Sequence, residues 1–172
     1  GELSEKQMRL VETANNSVHQ LSILVNQVLD FRKLETDLQA VHLKQTNLHA
    51  FLSATFQQFS SLAEQKKIKY HFYINLNKKL KAEIDPIKTQ QILNNLIINA
   101  LKFTAPTGEL RIEAELKENK SLYFQISDTG CGIDPNDLPR IFDRFFQSSN
   151  PKKELAGGSG IGLAICKEYC EI

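Results

Sequence analysis

Three short motifs of different chemistry stand in order between Asn95 and Leu163, and they constrain this chain more than its composition does. The first is Asn95-Leu-Ile-Ile-Asn99-Ala-Leu-Lys102-Phe103-Thr104. The second is Asp128-Thr-Gly130-Cys-Gly132-Ile133, and the third is Gly158-Ser-Gly160-Ile-Gly162-Leu163. Any one of them alone is weak, because short matches arise by chance. Here each falls on a fitting element: inside a helix that opens at Pro86, at the end of a strand, and at the start of the last helix.

Asn95, Asn99 and Lys102 are spaced i, i+4, i+7 and share one helix face. Ile92, Leu93 and Leu96 point in other directions, towards a core. Two amides and an ammonium are poor core material without partners, and a solvated face is the plain alternative. An Asn carbonyl oxygen is a fair Mg²⁺ ligand, since that ion keeps waters and phosphate oxygens as its other ligands. Lys102 can neutralise phosphate charge, and Phe103 can pack on a nucleobase or in the core. A carboxylate at Asp128 accepts hydrogen bonds and suits an exocyclic amine such as that of adenine. Gly130 and Gly132 let the backbone turn sharply beside a ligand. An ordinary turn is the plain alternative; an aspartic-protease reading needs a paired carboxylate that the pattern lacks. Gly158, Gly160 and Gly162 precede a helix whose N-terminal amides can bind phosphate. No Gly-Lys-Ser/Thr follows and no strand leads in, so neither a P-loop nor a dinucleotide fingerprint is met. Alone, this run reads as a linker; after the other two motifs it reads as a phosphate lid.

The hydrophobic pattern places these motifs in a larger plan. Val11, Ala14, Val18, Leu21, Val25 and Val28 step by threes and fours, the seam of a helix that packs on other helices. Val41-His-Leu-Lys reads as a short strand. Asn47 is a candidate N-cap for an amphipathic helix carrying Phe51, Leu52, Phe56, Phe59, Leu62 and Ala63. Ile68, Tyr70, Phe72 and Ile74 alternate as in a half-buried strand, and Lys81 to Ile84 form another. Asp85-Pro86 opens the helix of the first motif. Strands follow at Leu110 to Leu116 and Leu122 to Ile126, then one or two short helices over Pro135 to Phe146, with Phe142, Phe145 and Phe146 as core aromatics. Ser148 to Gly160 reads as a polar, Gly-rich loop. Helices with antiparallel strands in this mixture predict an α+β sandwich.

Composition narrows the function classes. A net charge of +1 gives no basic field for nucleic acid. No apolar run reaches the roughly 20 residues of a membrane span. Three cysteines are an odd number and make no disulfide framework. Cys166 and Cys170 lie four apart on a predicted helix with no further ligands near them, which favours plain thiols in a reducing compartment.

In this order the motifs resemble the N, G1 and G2 boxes of the histidine-kinase ATP-binding domain, and Ile141-Phe142-Asp143-Arg144-Phe145-Phe146 resembles its F box. Leu24-Val-Asn-Gln-Val-Leu-Asp-Phe-Arg-Lys-Leu-Glu35 resembles the end of the second helix of that family's dimerisation and phosphotransfer hairpin. The resemblance implies a two-layer α/β sandwich shared with type II topoisomerase and heat-shock-chaperone ATPases, preceded by a long helix. It divides the chain into residues 1–38, the hairpin helix, and residues 39–172, the ATP-binding catalytic domain. The implied ligands are ATP and Mg²⁺. Asn99 would hold the metal, Asp128 the adenine amine, and Asn95 and Lys102 the phosphates as the catalytic pair. Phe103, Gly130, Gly132, Ile133 and Phe142 would border the nucleotide, with Gly158, Gly160, Gly162 and Leu163 shaping the lid.

The resemblance also implies a sensor histidine kinase of a two-component, hybrid type that sends the γ-phosphate through a histidine to a response-regulator aspartate. The parent would be a homodimer anchored in a bacterial inner membrane, with this part cytoplasmic. Related hydrolases carry Glu four residues before the metal-binding Asn. Asn95 stands there in this chain and cannot take a proton from water as a carboxylate does. A non-catalytic dimerisation module and a hydrolase of the same fold are the competing readings. The family's phosphoacceptor is a His followed by an acidic and then a basic residue. His19 lacks those neighbours, and His42, His49 and His71 lie on other elements, so the acceptor is expected outside this chain. The family adds two strands after the last helix, and they are expected to be missing after Cys170-Glu-Ile172.

Overall fold

The computed structural model describes residues 40–118, 121–148 and 159–171. The seam helix, His19 and the whole of the 1–38 segment therefore lie outside the described residues, as does Gly158.

The chain enters through β1 (Lys44–Asn47), which pairs antiparallel with β3 (Lys81–Ile84) in the register Lys44↔Ile84 to Asn47↔Lys81. The strand expected at Val41 thus begins at Lys44. The pairing runs out at Ile84, and the preceding His42 N–H turns to Asp85 Oδ2 at 2.8 Å, so Val41 and Leu43 stay exposed. Asn47 caps α1 (Leu48–Gln57), its Oδ1 accepting from Ala50 N–H at 2.9 Å. The amphipathic stretch then breaks, and α2 (Ser60–Gln65) follows.

β2 (Lys69–Asn75) lies beside β4 (Glu109–Leu116), and β4 beside β5 (Leu122–Asp128). β2 and β4 are parallel, from Lys69↔Glu109 to Asn75↔Glu115, where the pattern predicted antiparallel strands only. The chain between them runs through α3 (Pro86–Phe103), and a helical crossover returns the next strand in the same direction. β4 and β5 are antiparallel, from Leu110↔Asp128 to Leu116↔Leu122.

Alternation decides the layers. Tyr70, Phe72 and Ile74, then Leu110, Ile112 and Ala114, then Phe124 and Ile126 face the helices and pack on Leu52, Phe56, Leu93, Ile97 and Leu101. The other sheet face is polar, with His71, Arg111 and Gln125 exposed. This is the α+β two-layer sandwich that the sequence predicted. Burying most of an aromatic or aliphatic side chain stabilises by about 1.5–3 kcal/mol, so this one layer dominates the driving force. The Tyr70 hydroxyl donates to Phe56 O at 2.8 Å, and burial pushes its pKa up.

α4 (Gly162–Glu171) packs on α3 rather than on the sheet, with Ile161 and Ile165 in a small cluster beside Tyr169. Lys88, buried near the start of α3, sets its Nζ 4.5 Å from the Tyr169 ring centre.

The short helices expected over Pro135 to Phe146 reduce to one 3₁₀ turn, Leu138–Arg140. Pro139 has no N–H to give, and the segment proceeds by i→i−3 turns, Arg140 N to Asp137 O, Asp143 N to Arg140 O and Phe146 N to Asp143 O. Nor are its aromatics core. Phe142 and Phe145 are 45% and 55% exposed, and Phe146 turns to a cavity. Among the described residues no helix is long and apolar enough to cross a membrane.

Candidate functional site

The last two turns of α3, the end of β5 and the start of α4 enclose a cavity of about 370 Å³. α3 contributes Leu96, Asn99 and Phe103, which at i, i+3, i+7 share a face, and Lys102 beside them. Leu96, expected in the core, lies on this face, while Leu93 and Ile97 take the core positions.

Lys102 sets its Nζ 4.7 Å from the Phe103 ring centre. Burial, and then the charge of Lys66, lower its pKa. Lys66 itself donates to Leu101 O at 3.2 Å, at the carbonyl end of α3. Two cations thus gather where α3 exposes its negative pole.

Asp128 reaches the cavity rim because β5 runs two residues past the expected end at Ile126. Its Oδ1 accepts from Gly130 N–H at 2.8 Å. A Cβ on Gly130 would stand 2.6 Å from that oxygen and 2.7 Å from Phe103 O, so only glycine lets this loop close on α3. Gly132 and Ile133 line the cavity beyond it. On the far side Gly160 turns at φ +67, and a Cβ there would meet Phe145 C at 2.7 Å. Leu163, from the first turn of α4, completes that wall.

The structure thus gathers Asn99, Lys102, Phe103, Asp128, Gly132, Ile133, Gly160 and Leu163 on one cavity. It leaves Asn95, Gly130, Phe142 and Gly162 off its lining. Asn95 Nδ2 donates to Gly162 O at 3.2 Å and so ties α3 to the start of α4. The Cys166 thiol also lies against Asn95. Burial pushes that thiol up to about 11, and the hydrogen bond with Asn95 pulls the other way. Sequence reasoning missed Ile126, Asp137, Ile141 and Phe146 as lining residues. Ile126 and Leu96 carry the same apolar signal as core neighbours, and Asp137 carries none. Arg140 sits 4.6 Å from the Phe146 ring centre and backs that side chain at the wall.

The cavity is largely apolar, with a carboxylate at one edge and an ammonium and an amide at another. It can hold a flat heteroaromatic group with anionic groups trailing from it.

The chain belongs to the family of histidine kinase-, DNA gyrase B- and HSP90-like ATPases, whose model matches residues 84–172. It is an ATP-binding domain of the histidine-kinase branch. Its relatives include the circadian input-output histidine kinase CikA of Synechococcus elongatus, 30% identical over 100% of this chain and 23% of CikA. Sensor histidine kinase WalK of Bacillus subtilis is 31% identical over 95% of this chain and 26% of WalK. The chain thus spans about a quarter of the length of these relatives. Full-length ShkA, solved in complex with AMPPNP, is 28% identical with a TM-score of 0.74, over 99% of this chain and 35% of ShkA. Histidine kinase ThkA, solved in complex with the response regulator protein TrrA, shares the fold at 21% identity and a TM-score of 0.65, over 86% of this chain and 42% of ThkA.

Proposed function

We propose that residues 39–172 are the catalytic part of a sensor histidine kinase, and that residues 1–38 belong to its dimerisation and phosphotransfer hairpin. The observation that carries this reading is the single cavity lined jointly by residues of all three motifs. In it the Asp128 carboxylate accepts from the adenine amine, and Ile126 and Ile133 flank the base. Lys102 lies towards the phosphates, where its charge offsets theirs.

Mg²⁺ fits the donors at hand. Asn99 offers a hard amide oxygen at the cavity, and no group of three or more His, Cys, Asp or Glu forms a metal cage among the described residues. Asn99 would therefore be the protein's ligand to an ion that arrives with the nucleotide, and the bound ion would add charge neutralisation across the phosphates.

Asn95 cannot serve as a base for water, because a carboxamide has no atom basic enough to take its proton, and its Nδ2 donates to Gly162 O. The site holds ATP for an outside nucleophile. A histidine nitrogen of the hairpin attacks the γ-phosphorus, the bond to the β–γ bridging oxygen breaks, and ADP leaves. The phosphoryl group then passes to a receiver-domain aspartate of a response regulator, the class of partner with which ThkA was solved. The parent is a homodimer held at the bacterial inner membrane, with this part on the cytoplasmic side.

Calorimetric titration with ATP and ADP, with and without Mg²⁺, tests the reading. We expect binding that Asp128→Ala abolishes and Mg²⁺ strengthens. A folded chain that binds neither nucleotide would overturn it.

A further inference from the structure

Two contacts tie the segment behind the cavity to Gly160 and to Glu168 on α4. Arg144 donates Nε and Nη2 to one oxygen of Glu168, Oε1, at 2.9 and 2.6 Å. Next to it Phe145 N–H donates to Gly160 O at 2.9 Å. Phe145 holds φ +64, a conformation that a bulky side chain adopts only under constraint. The chain on either side of these contacts forms two cavity walls, one made by Phe146, Gln147 and Ser148, the other by Ser159, Gly160 and Leu163.

We infer that the Arg144–Glu168 ion pair is a clasp that holds the two walls at the spacing a nucleotide needs, which makes both side chains positioning residues for nucleotide affinity. The inference rests on the nucleotide-binding reading above. The pair ties the strained turn at Phe145 to a helix that α3 already anchors through Asn95. Without it the turn loses its side-chain tie to α4, and its strain favours a shift that carries Phe146 away from the cavity.

The two partners are unequal. Glu168 is 20% exposed, and its Oε2 is buried with no hydrogen-bond partner among the described residues, while Arg144 is 44% exposed. Removing Arg144 strands a buried carboxylate. Removing Glu168 leaves a guanidinium that is already half exposed and loses little solvation. Arg144→Ala should therefore be the more damaging of the two truncations.

The test compares Arg144→Ala, Glu168→Ala and the exchanged pair Arg144→Glu/Glu168→Arg. Three readouts are taken: ATP affinity, the thermal midpoint without nucleotide, and amide exchange at Phe145 against the β4 core. We expect Arg144→Ala to weaken ATP about tenfold, Glu168→Ala less, and the exchanged pair to recover most of the loss. Phe145 exchange should quicken while β4 stays protected. Single variants that bind within about twofold of the parent would overturn the clasp. So would faster exchange across β4 in step with lost affinity, since that marks a merely structural pair. If the parent itself binds no nucleotide, the nucleotide reading falls, and Phe145 exchange alone decides whether the pair constrains the turn.

Discussion

Gly160 turns at φ +67 with the Phe145 backbone 2.7 Å from where a Cβ would stand. Gly160→Ala is therefore expected to cost about 1–3 kcal/mol in urea unfolding, because backbone cannot swing aside as a side-chain tip can. ATP affinity should fall with it, since this residue forms cavity wall. The cysteines differ chiefly through burial. Cys166 is buried and its thiol pushed up to about 11, whereas Cys131 and Cys170 are exposed. At pH 8 an alkylating reagent should modify Cys131 and Cys170 readily and Cys166 only on unfolding, as intact mass would show; rapid triple labelling of the folded chain would contradict this.

At the scale of elements, α3 is the organiser, and Asp85 is its first support. The side chain accepts from His42, Ile87 and Lys88 N–H groups, which joins the entering chain to the helix start. Burial pushes the Asp85 carboxyl up, but the N–H groups of Lys88, His42 and Ile87 and the Lys88 charge outweigh it and hold the pKa below its ordinary 3.8. A depressed carboxyl contributes stability that is present above 3.8 and is lost as pH falls through the folded value. Asp85→Asn keeps a capping oxygen but not the charge. It should be less stable than the parent by about 1 kcal/mol at pH 7, and the gap should close below pH 4 in acid unfolding. A gap that persists at low pH would mean that geometry, not charge, is what Asp85 supplies. Asn95 supports the same helix further along, through Gly162 O on α4. Asn95→Glu puts a carboxylate where the hydrolases of the fold carry one. Steady ATP hydrolysis by that variant is the expected gain, measured as released phosphate; a variant as inert as the parent would remove the base argument.

For the whole molecule, one layer between sheet and helices carries the stability. Phe56 is fully buried, with its ring centre 5.8 Å from that of Phe72. Phe56→Ala should cost about 3–5 kcal/mol in urea unfolding, while Phe142→Ala, at an exposed position, should change stability by less than about 0.5 kcal/mol. Equal losses would contradict the assignment of the core to the sheet–helix layer.

The sequence by itself determined the α+β class, the cap at Asn47, the capped Pro86 helix, the alternation of β2 and the three motifs that meet at the cavity. All of these are local: a period, a cap or a turn is written within a few residues. Only the tertiary structure decided that β2 and β4 run parallel, that Leu96 lines a cavity and Leu93 a core, that Asn95 binds Gly162 rather than the cavity, and that Phe142 stays in water. Each of these depends on which distant segment arrives opposite a side chain, and an apolar or amide residue looks the same in sequence whichever neighbour it meets. The Arg144–Glu168 contact is the sharpest case, because two charged residues far apart in the chain carry no mark of each other until α4 packs on α3.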